Sequence, residues 1–172
     1  MTVRMYITRD TVHISIMRDI VPQVTPKRSS KKAGRLDDQL CFALYAATNA
    51  MTRVYRPLLQ EMGITYPQYL VLLVLWEHQT CRLGEIAEQL QLATHAVSPI
   101  IDRMEETGLV RRTKDADDGR VVHVELTARG SAMEASAAAV QNTVRCSTLL
   151  DPVEVQLLRA QLIALTEQLN EA

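Results

Sequence analysis

From residue 36 onward the apolar side chains recur with a helical period. Leu40, Leu44, Ala47, Met51 and Val54 follow one another at spacings of 4, 3, 4 and 3. They form one stripe along a helix that is predicted to open at Asp37-Asp38 and to end between Pro57 and Gly63. A second helix follows Tyr66-Pro67 and carries Leu70, Leu73, Val74 and Trp76. It is apolar nearly all round, as a buried spine is. Residues 80–82 read as a short extended link. A short helix over 84–90 then sets Leu83, Ile86, Ala87 and Leu90 on one face, and Gln91-Leu92-Ala93 supplies a turn. Thr94 is the expected cap of the next helix, whose apolar face is Val97, Ile100, Ile101 and Met104. Pro99 falls inside that helix and deletes a backbone hydrogen bond, which predicts a tight or kinked first turn. Gly108 stops it, and alternating runs at 109–113 and 121–126 form a hairpin around 114–120.

A helix-turn-helix closed by a β-hairpin is a winged helix, so the expected fold is mainly α with a small hairpin wing. Thr127 caps a long alanine-rich helix from Ala128 to about Cys146. Asp151-Pro152-Val153-Glu154 starts another, with an acidic cap, proline at the first position and Val155, Leu158, Leu162 and Leu165 as its stripe. That stripe has no intrachain partner left except the first helix. The helices at about 37–62 and 127–170 are therefore read as dimerisation helices around a DNA-binding part at about 66–126. A twofold homodimer of this kind reads a pseudo-palindromic duplex. Residues 1–35 are read as a flexible basic extension and 36–172 as a single domain. Within the extension a short strand around residues 12–16 has no visible partner, Pro22 and Pro26 break regular structure, and residues 27–35 read as a basic linker, a solvated tail or a contact to the DNA backbone. Met5 and Met17 are alternative starts.

Composition narrows the class. The chain has 172 residues, 47% of them hydrophobic, long enough for a real core. No apolar run reaches the ~18 residues of a membrane span, and the N-terminus lacks the apolar stretch of a secretory signal. Three cysteines, at 41, 81 and 146, fit no C-x-x-C spacing. They predict neither a disulfide framework nor a metal site, and place the chain in the cytoplasm with no cofactor. The net charge of −1 hides an asymmetry: residues 1–36 carry eight Lys/Arg against two Asp, and the remainder carries eleven against eighteen acidic residues. The body is acidic, so the case for DNA rests on the order of elements rather than on global charge.

The candidate DNA-contacting residues are Thr94, His95, Ser98, Pro99 and Arg103 on the outer side of the second helix, with Arg112, Lys114, Asp118 and Arg120 on the wing. Arg120 at the tip suits a narrow, electronegative minor groove, with Asp118 placed to hold its guanidinium. The alternative is a winged helix that binds protein. Cys41 lies one turn into its predicted helix, where unsatisfied N–H groups favour the nucleophilic thiolate; the plainer alternative is a small buried hydrophobe. Cys81, in the extended link, reads as structural. Tyr55 lies fourteen residues after Cys41, or ~21 Å along one helix at about 1.5 Å per residue. Contact between them requires another segment, which a dimer partner supplies. Tyr45, four residues after Cys41, is the nearby tyrosine on the same helix face.

The run Leu36-Asp37-Asp38-Gln39-Leu40-Cys41-Phe42-Ala43-Leu44-Tyr45, the run Gly63-Ile64-Thr65-Tyr66-Pro67-Gln68-Tyr69-Leu70 and the Asp118-Gly119-Arg120 wing resemble the MarR (multiple antibiotic resistance regulator) family over roughly residues 36–170. More closely, they resemble its organic-hydroperoxide-sensing branch, two-cysteine subgroup. The resemblance implies that organic hydroperoxides oxidise Cys41, that tyrosines at the positions of Tyr55 and Tyr66 hydrogen-bond its sulfur from the partner subunit, and that Cys146 is the resolving cysteine. The expected function is a repressor, not an enzyme, that leaves its operator when Cys41 is oxidised and condenses with Cys146 of the partner subunit. Two features depart from the branch: the basic extension, and a recognition helix opening Ala93-Thr94-His95-Ala96 where Asp-Ser-Gly-Thr is common. Two rival readings are a repressor answering phenolic or carboxylate ligands in the dimer crevice, with Cys41 inert, and a thiol peroxidase, for which the chain offers no thioredoxin-like strand pattern.

Overall fold

The computed structural model describes residues 34–115 and 118–171. The strand expected around residues 12–16 and the linker up to residue 33 lie outside them. The chain divides into two units, Met1–Gln39 and Leu40–Ala172. In the first, Asp37 and Asp38 belong to a 3-10 turn, Leu36–Asp38, and Gln39 is extended with its N–H on the Leu36 carbonyl at 3.1 Å. The expected helix start at Asp37-Asp38 is thus corrected: the long helix α1 begins at Leu40 and runs to Glu61.

Pro57 does not end α1. Pro57 and Arg53 are both exposed, so the carbonyl that loses its donor at the proline faces water and the helix continues. Gly63 ends it at φ +71°, with Gly63 N–H on the Gln60 carbonyl and Ile64 N–H on Leu59, each at 3.0 Å. That is a Schellman closure, and the apolar pair that accompanies it, Leu59 and Ile64, is buried. Helix α2, Tyr66–His78, starts from Thr65, whose backbone N–H donates to Gln68 Oε1 at 2.8 Å. As its all-round apolar surface predicts, α2 is the spine: Tyr69, Val71, Leu72, Val74, Leu75 and Trp76 are all buried.

Helix α3, Leu83–Gln89, and helix α4, Thr94–Glu106, form the helix-turn-helix. The cap of α4 is Ala93 rather than Thr94, which is the first helical residue. The first turn is tight: Ala96 N–H reaches the Ala93 carbonyl at 2.8 Å, three residues back. Gly108 closes α4 at φ +70° as Gly63 closes α1, with Leu109 N–H on the Met104 carbonyl at 2.8 Å. The turn after α3 uses the same geometry without a glycine. Gln91 sits at φ 53°, with Leu92 N–H on the Ala87 carbonyl at 2.9 Å. A left-handed residue with a Cβ costs about 1 kcal/mol, so Gln91→Gly should raise stability by about 0.5–1 kcal/mol. A urea midpoint that stays level or falls, with the slope unchanged, refutes this.

The residues read as a link are a strand. Strand β1, Thr80–Arg82, pairs antiparallel with β3, Val122–Leu126, which pairs on its other side with β2, Val110–Lys114. Cys81 faces Val124, and Arg111 faces Glu125. The wing is therefore part of a three-stranded sheet anchored in the core.

The expected continuous helix after Thr127 is broken into α5, Ala128–Ala132, and α6, Glu134–Ser147. Thr127 does cap it, its hydroxyl accepting from Gly130 N–H at 3.1 Å. At the break the Gly130 carbonyl, which would accept from residue 134 in an unbroken helix, accepts the Met133 N–H at 3.4 Å and the Trp76 indole N–H at 3.0 Å. Helix α7, Pro152–Asn170, starts as expected, with the Asp151 carboxylate accepting from Val153 and Glu154 N–H at 2.8 and 2.9 Å. No residue of α7 is buried, and α1, which packs on α2 and α6, buries only Leu59. Leu40, Tyr45, Met51, Leu158, Leu162 and Ile163 stay exposed, so a single chain leaves the stripes of its terminal helices uncovered. Among the described residues no single helix is long and apolar enough to cross a membrane.

Candidate functional site

Two of the three thiols are open to solvent. Cys41 is the second residue of α1, in the turn whose N–H groups have no intrahelical acceptor. Cys146 is the next-to-last residue of α6. Cys81 is buried in the core at 4% exposure, and burial, with Glu85 adding to it, pushes its thiol up. A buried neutral thiol is a poor nucleophile, so Cys81 is structural, as its place in the chain suggests.

The tyrosines come together toward the C-terminal part of α1, away from Cys41 of the same chain. Tyr55 on α1 lies 4.9 Å from Tyr66 and 5.6 Å from Tyr69 between ring centroids, and Tyr69 meets Trp76 edge-on at 6.3 Å. Burial is the chief cause that pushes the Tyr55 hydroxyl up to about 12, with Tyr69 and Tyr66 adding to it. Burial also raises Tyr66 and Tyr69. These phenols stay protonated near neutral pH, so toward a thiolate each is a hydrogen-bond donor. Helix α1 is unbroken between Cys41 and Tyr55, so the ~21 Å between them holds within one chain. Tyr45, near Cys41, is exposed. Tyr69 is the member of the cluster that sequence reasoning missed. Its signal was available, since it follows Tyr66 by three residues on the same helix face.

On α4, Val97, Ile101 and Met104 are buried, while Thr94, His95, Pro99 and Arg103 are exposed and Ser98 is half-buried. At the wing tip Arg120 forks onto Asp118, Nε to Oδ1 at 3.1 Å and Nη2 to Oδ2 at 3.2 Å. The Arg120 side chain and then its backbone N–H hold the Asp118 carboxyl below the usual carboxylate range. The pairing expected from the sequence is present, with Arg120 fully displayed to solvent. Lys114 ends β2 and is exposed. His123 Nε2 and Asp115 Oδ2, 2.8 Å apart, tie β3 to the start of the loop.

Arg112 corrects the expectation. Its guanidinium turns inward onto Asp102, onto Glu105 Oε2 at 3.3 Å and onto the Ser98 carbonyl at 3.0 Å, rather than standing free on the wing. Three acceptors on one helix outcompete solvent for a planar cation. Arg111 pairs with Glu125 at 2.7 Å. Asp102, Glu105, Asp118 and Glu125 thus each have a basic partner, which offsets much of the acidic character that argued against a nucleic-acid surface. Arg103 and Lys114 remain on the exposed side.

Known proteins resemble this chain in sequence and fold. The MarR family model matches residues 64–122, from the end of α1 to the first residue of β3. The organic hydroperoxide resistance transcriptional regulator of Bacillus subtilis is 38% identical over 137 residues, covering 80% of this chain and 93% of the relative. Reduced AbfR bound to DNA, the AbfR of Staphylococcus epidermidis, superposes with a TM-score of 0.65 at 32% identity, covering 78% of this chain and 94% of that one. The disulfide form of AbfR superposes with 0.54 at 33% identity, covering 80% and 91%. With its helix-turn-helix, its wing and a relative matched over nearly its whole length, the chain belongs to the MarR family of transcriptional regulators.

Proposed function

We propose that the chain is a redox-sensing DNA-binding repressor, working as a homodimer in the reducing cytoplasm, that releases a pseudo-palindromic operator when an organic hydroperoxide oxidises Cys41. The observation that carries this reading is the contrast among the thiols: Cys41 and Cys146 are exposed at opposite ends of helices, while Cys81 is buried. The Cys41 thiolate attacks one peroxide oxygen, the O–O bond breaks, the alcohol leaves with a proton, and sulfur becomes a sulfenic acid. The thiolate of Cys146 of the partner subunit then attacks that sulfur, a disulfide forms and water leaves. Disulfide closure needs Cα atoms within about 7 Å; if the two residues start further apart across the dimer, closure moves the terminal helices and with them the reading heads.

A second copy covers the exposed stripes of α1 and α7, and twofold symmetry sets two α4 helices on successive major grooves. Thr94, His95, Pro99 and Arg103 then face bases and phosphates, and Lys114 and Arg120 the backbone and minor groove, while Ser98 is engaged by Arg112. Tyr55 and Tyr66, out of reach of their own Cys41, donate to the partner's Cys41. The greater likeness to the two DNA-bound forms of AbfR, reduced and overoxidized, than to the disulfide form supports reading this conformation as the binding-competent one.

The test is a gel shift on the chain's own upstream DNA with and without cumene hydroperoxide, followed by a non-reducing gel. Treated protein should release the DNA and run at twice the monomer mass. Cys146→Ser should abolish that band and Cys81→Ser keep it. A crosslink lost in Cys81→Ser but retained in Cys146→Ser overturns the assignment of the resolving cysteine.

A further inference from the structure

The recognition helix α4 presents three stripes rather than two. Val97, Ile101 and Met104 are buried against the core, and Thr94, His95, Pro99 and Arg103 are exposed. Between them run Ser98, Asp102 and Glu105, and each of the three binds Arg112 of β2. Its Nη1 meets Asp102 Oδ1 and Glu105 Oε2, its Nη2 meets the Ser98 carbonyl at 3.0 Å and hydroxyl at 3.5 Å, and its backbone N–H donates to Glu105 Oε1 at 2.9 Å. The Arg112 side chain is only 22% exposed, so this cation is drawn out of solvent along the helix it grips.

We propose that Arg112 is a positioning residue for base recognition: it fixes the rotation of α4 about its own axis and so decides which stripe enters the groove. This rests on the DNA-binding reading above. Apolar burial alone is non-directional and holds a helix against rolling only loosely. A planar guanidinium bonded to three residues of one stripe is directional. A helix with its side chains is about 10–12 Å across, so a roll of roughly 20° swings side-chain tips by about 2 Å, enough to break a hydrogen bond to a base edge. Pro99 adds to the need for an outside brace, because no backbone bond can run from residue 99 to the His95 carbonyl. The Ser98 carbonyl that Arg112 grips is the one immediately before that proline.

Full-length parent protein, Arg112→Lys, Arg112→Ala and the triple variant Arg112→Ala/Asp102→Asn/Glu105→Gln would be titrated by fluorescence anisotropy. The two duplexes are its own upstream sequence and a random sequence of equal length. Arg112→Lys keeps the charge and loses the fork, and it serves even if Arg112→Ala fails to fold. Its preference for the upstream duplex should fall about tenfold or more, with affinity for the random duplex changed by less than about twofold. The triple variant removes two carboxylates near the phosphates, so its random-duplex binding should recover while its preference should not. Equal losses on both duplexes in Arg112→Lys, or full preference in the triple variant, overturn the proposal. A parent chain that binds neither duplex overturns the DNA-binding reading, and the positioning role with it.

Discussion

Cys41→Ser is expected to bind operator DNA as the parent does and to stay bound after organic hydroperoxide. The substitution replaces Sγ by Oγ and little else, at a residue that is exposed in the single chain. Cys81 cannot stand in, because burial keeps its thiol protonated and out of reach. Cys146 lies at the other end of its helix, among terminal carbonyls rather than N–H groups. In the parent, oxidation should weaken operator binding about 5–150-fold, the range of coupling between two linked sites. In Cys41→Ser the shift should be less than about twofold, against a tenfold change that corresponds to ~1.4 kcal/mol. Release of the variant at the parent's hydroperoxide dose sinks the sensor reading. Release of both proteins by a phenolic or carboxylate ligand, with no response to hydroperoxide in either, favours the ligand-responsive repressor.

Gly130→Ala should be the most damaging single-methyl change among the described glycines. A Cβ built at residue 130 lies 2.2 Å from the Leu109 carbonyl oxygen and 3.1 Å from a Leu126 methyl. The first is backbone and cannot rotate away. Leu109 precedes β2 and Leu126 ends β3, so accommodating the methyl pushes α5 off the base of the wing. It also stretches the Trp76 bond to the Gly130 carbonyl and the Thr127 cap. Overpacking of this kind costs about 1–3 kcal/mol, and the disturbed buried hydrogen bond about 1–3 more. The ~1 kcal/mol by which alanine is the better helix former offsets only part, leaving a net loss of roughly 2–4 kcal/mol. At about 2–4 °C per kcal/mol for a chain of this size, the melting temperature should drop by roughly 5–15 °C. Gly84→Ala is the control. It is also helical, nothing lies within 4 Å of its added Cβ, and it should be neutral or stabilising by up to about 1 kcal/mol. Equal melting temperatures for the two variants refute the steric argument.

Sequence reasoning succeeded where the determining interactions are local. The periodic stripes on α1 and α4, the all-apolar α2, Gly63 and Gly108 as stops, and the Asp151-Pro152-Glu154 start each involve groups within about one turn of each other, so spacing alone reveals them. The Asp118–Arg120 pair was readable for the same reason, its partners being two residues apart. Charge was the weaker guide. The acidic balance of the body beyond residue 36 gave DNA no support, because counting cannot tell a free carboxylate from one held by Arg112 or Arg111.

The chain by itself determined a winged helix-turn-helix, exposed apolar helices at both ends and three unpaired cysteines of different settings. Only the tertiary structure decided that Thr80–Arg82 is a strand, that Arg112 turns onto Ser98, Asp102 and Glu105, that Tyr55 of α1 meets Tyr66 and Tyr69 of α2, and that the helix after Thr127 breaks. Each of these depends on groups brought together by packing across different elements. The indole of Trp76 and the carbonyl of Gly130, for example, are 54 residues apart. A three-residue strand has too few positions to show a period, and a guanidinium's acceptor depends on which helix face the core has already turned toward it. Local propensity leaves such choices nearly degenerate, and burial, by removing water as the competing partner, settles them.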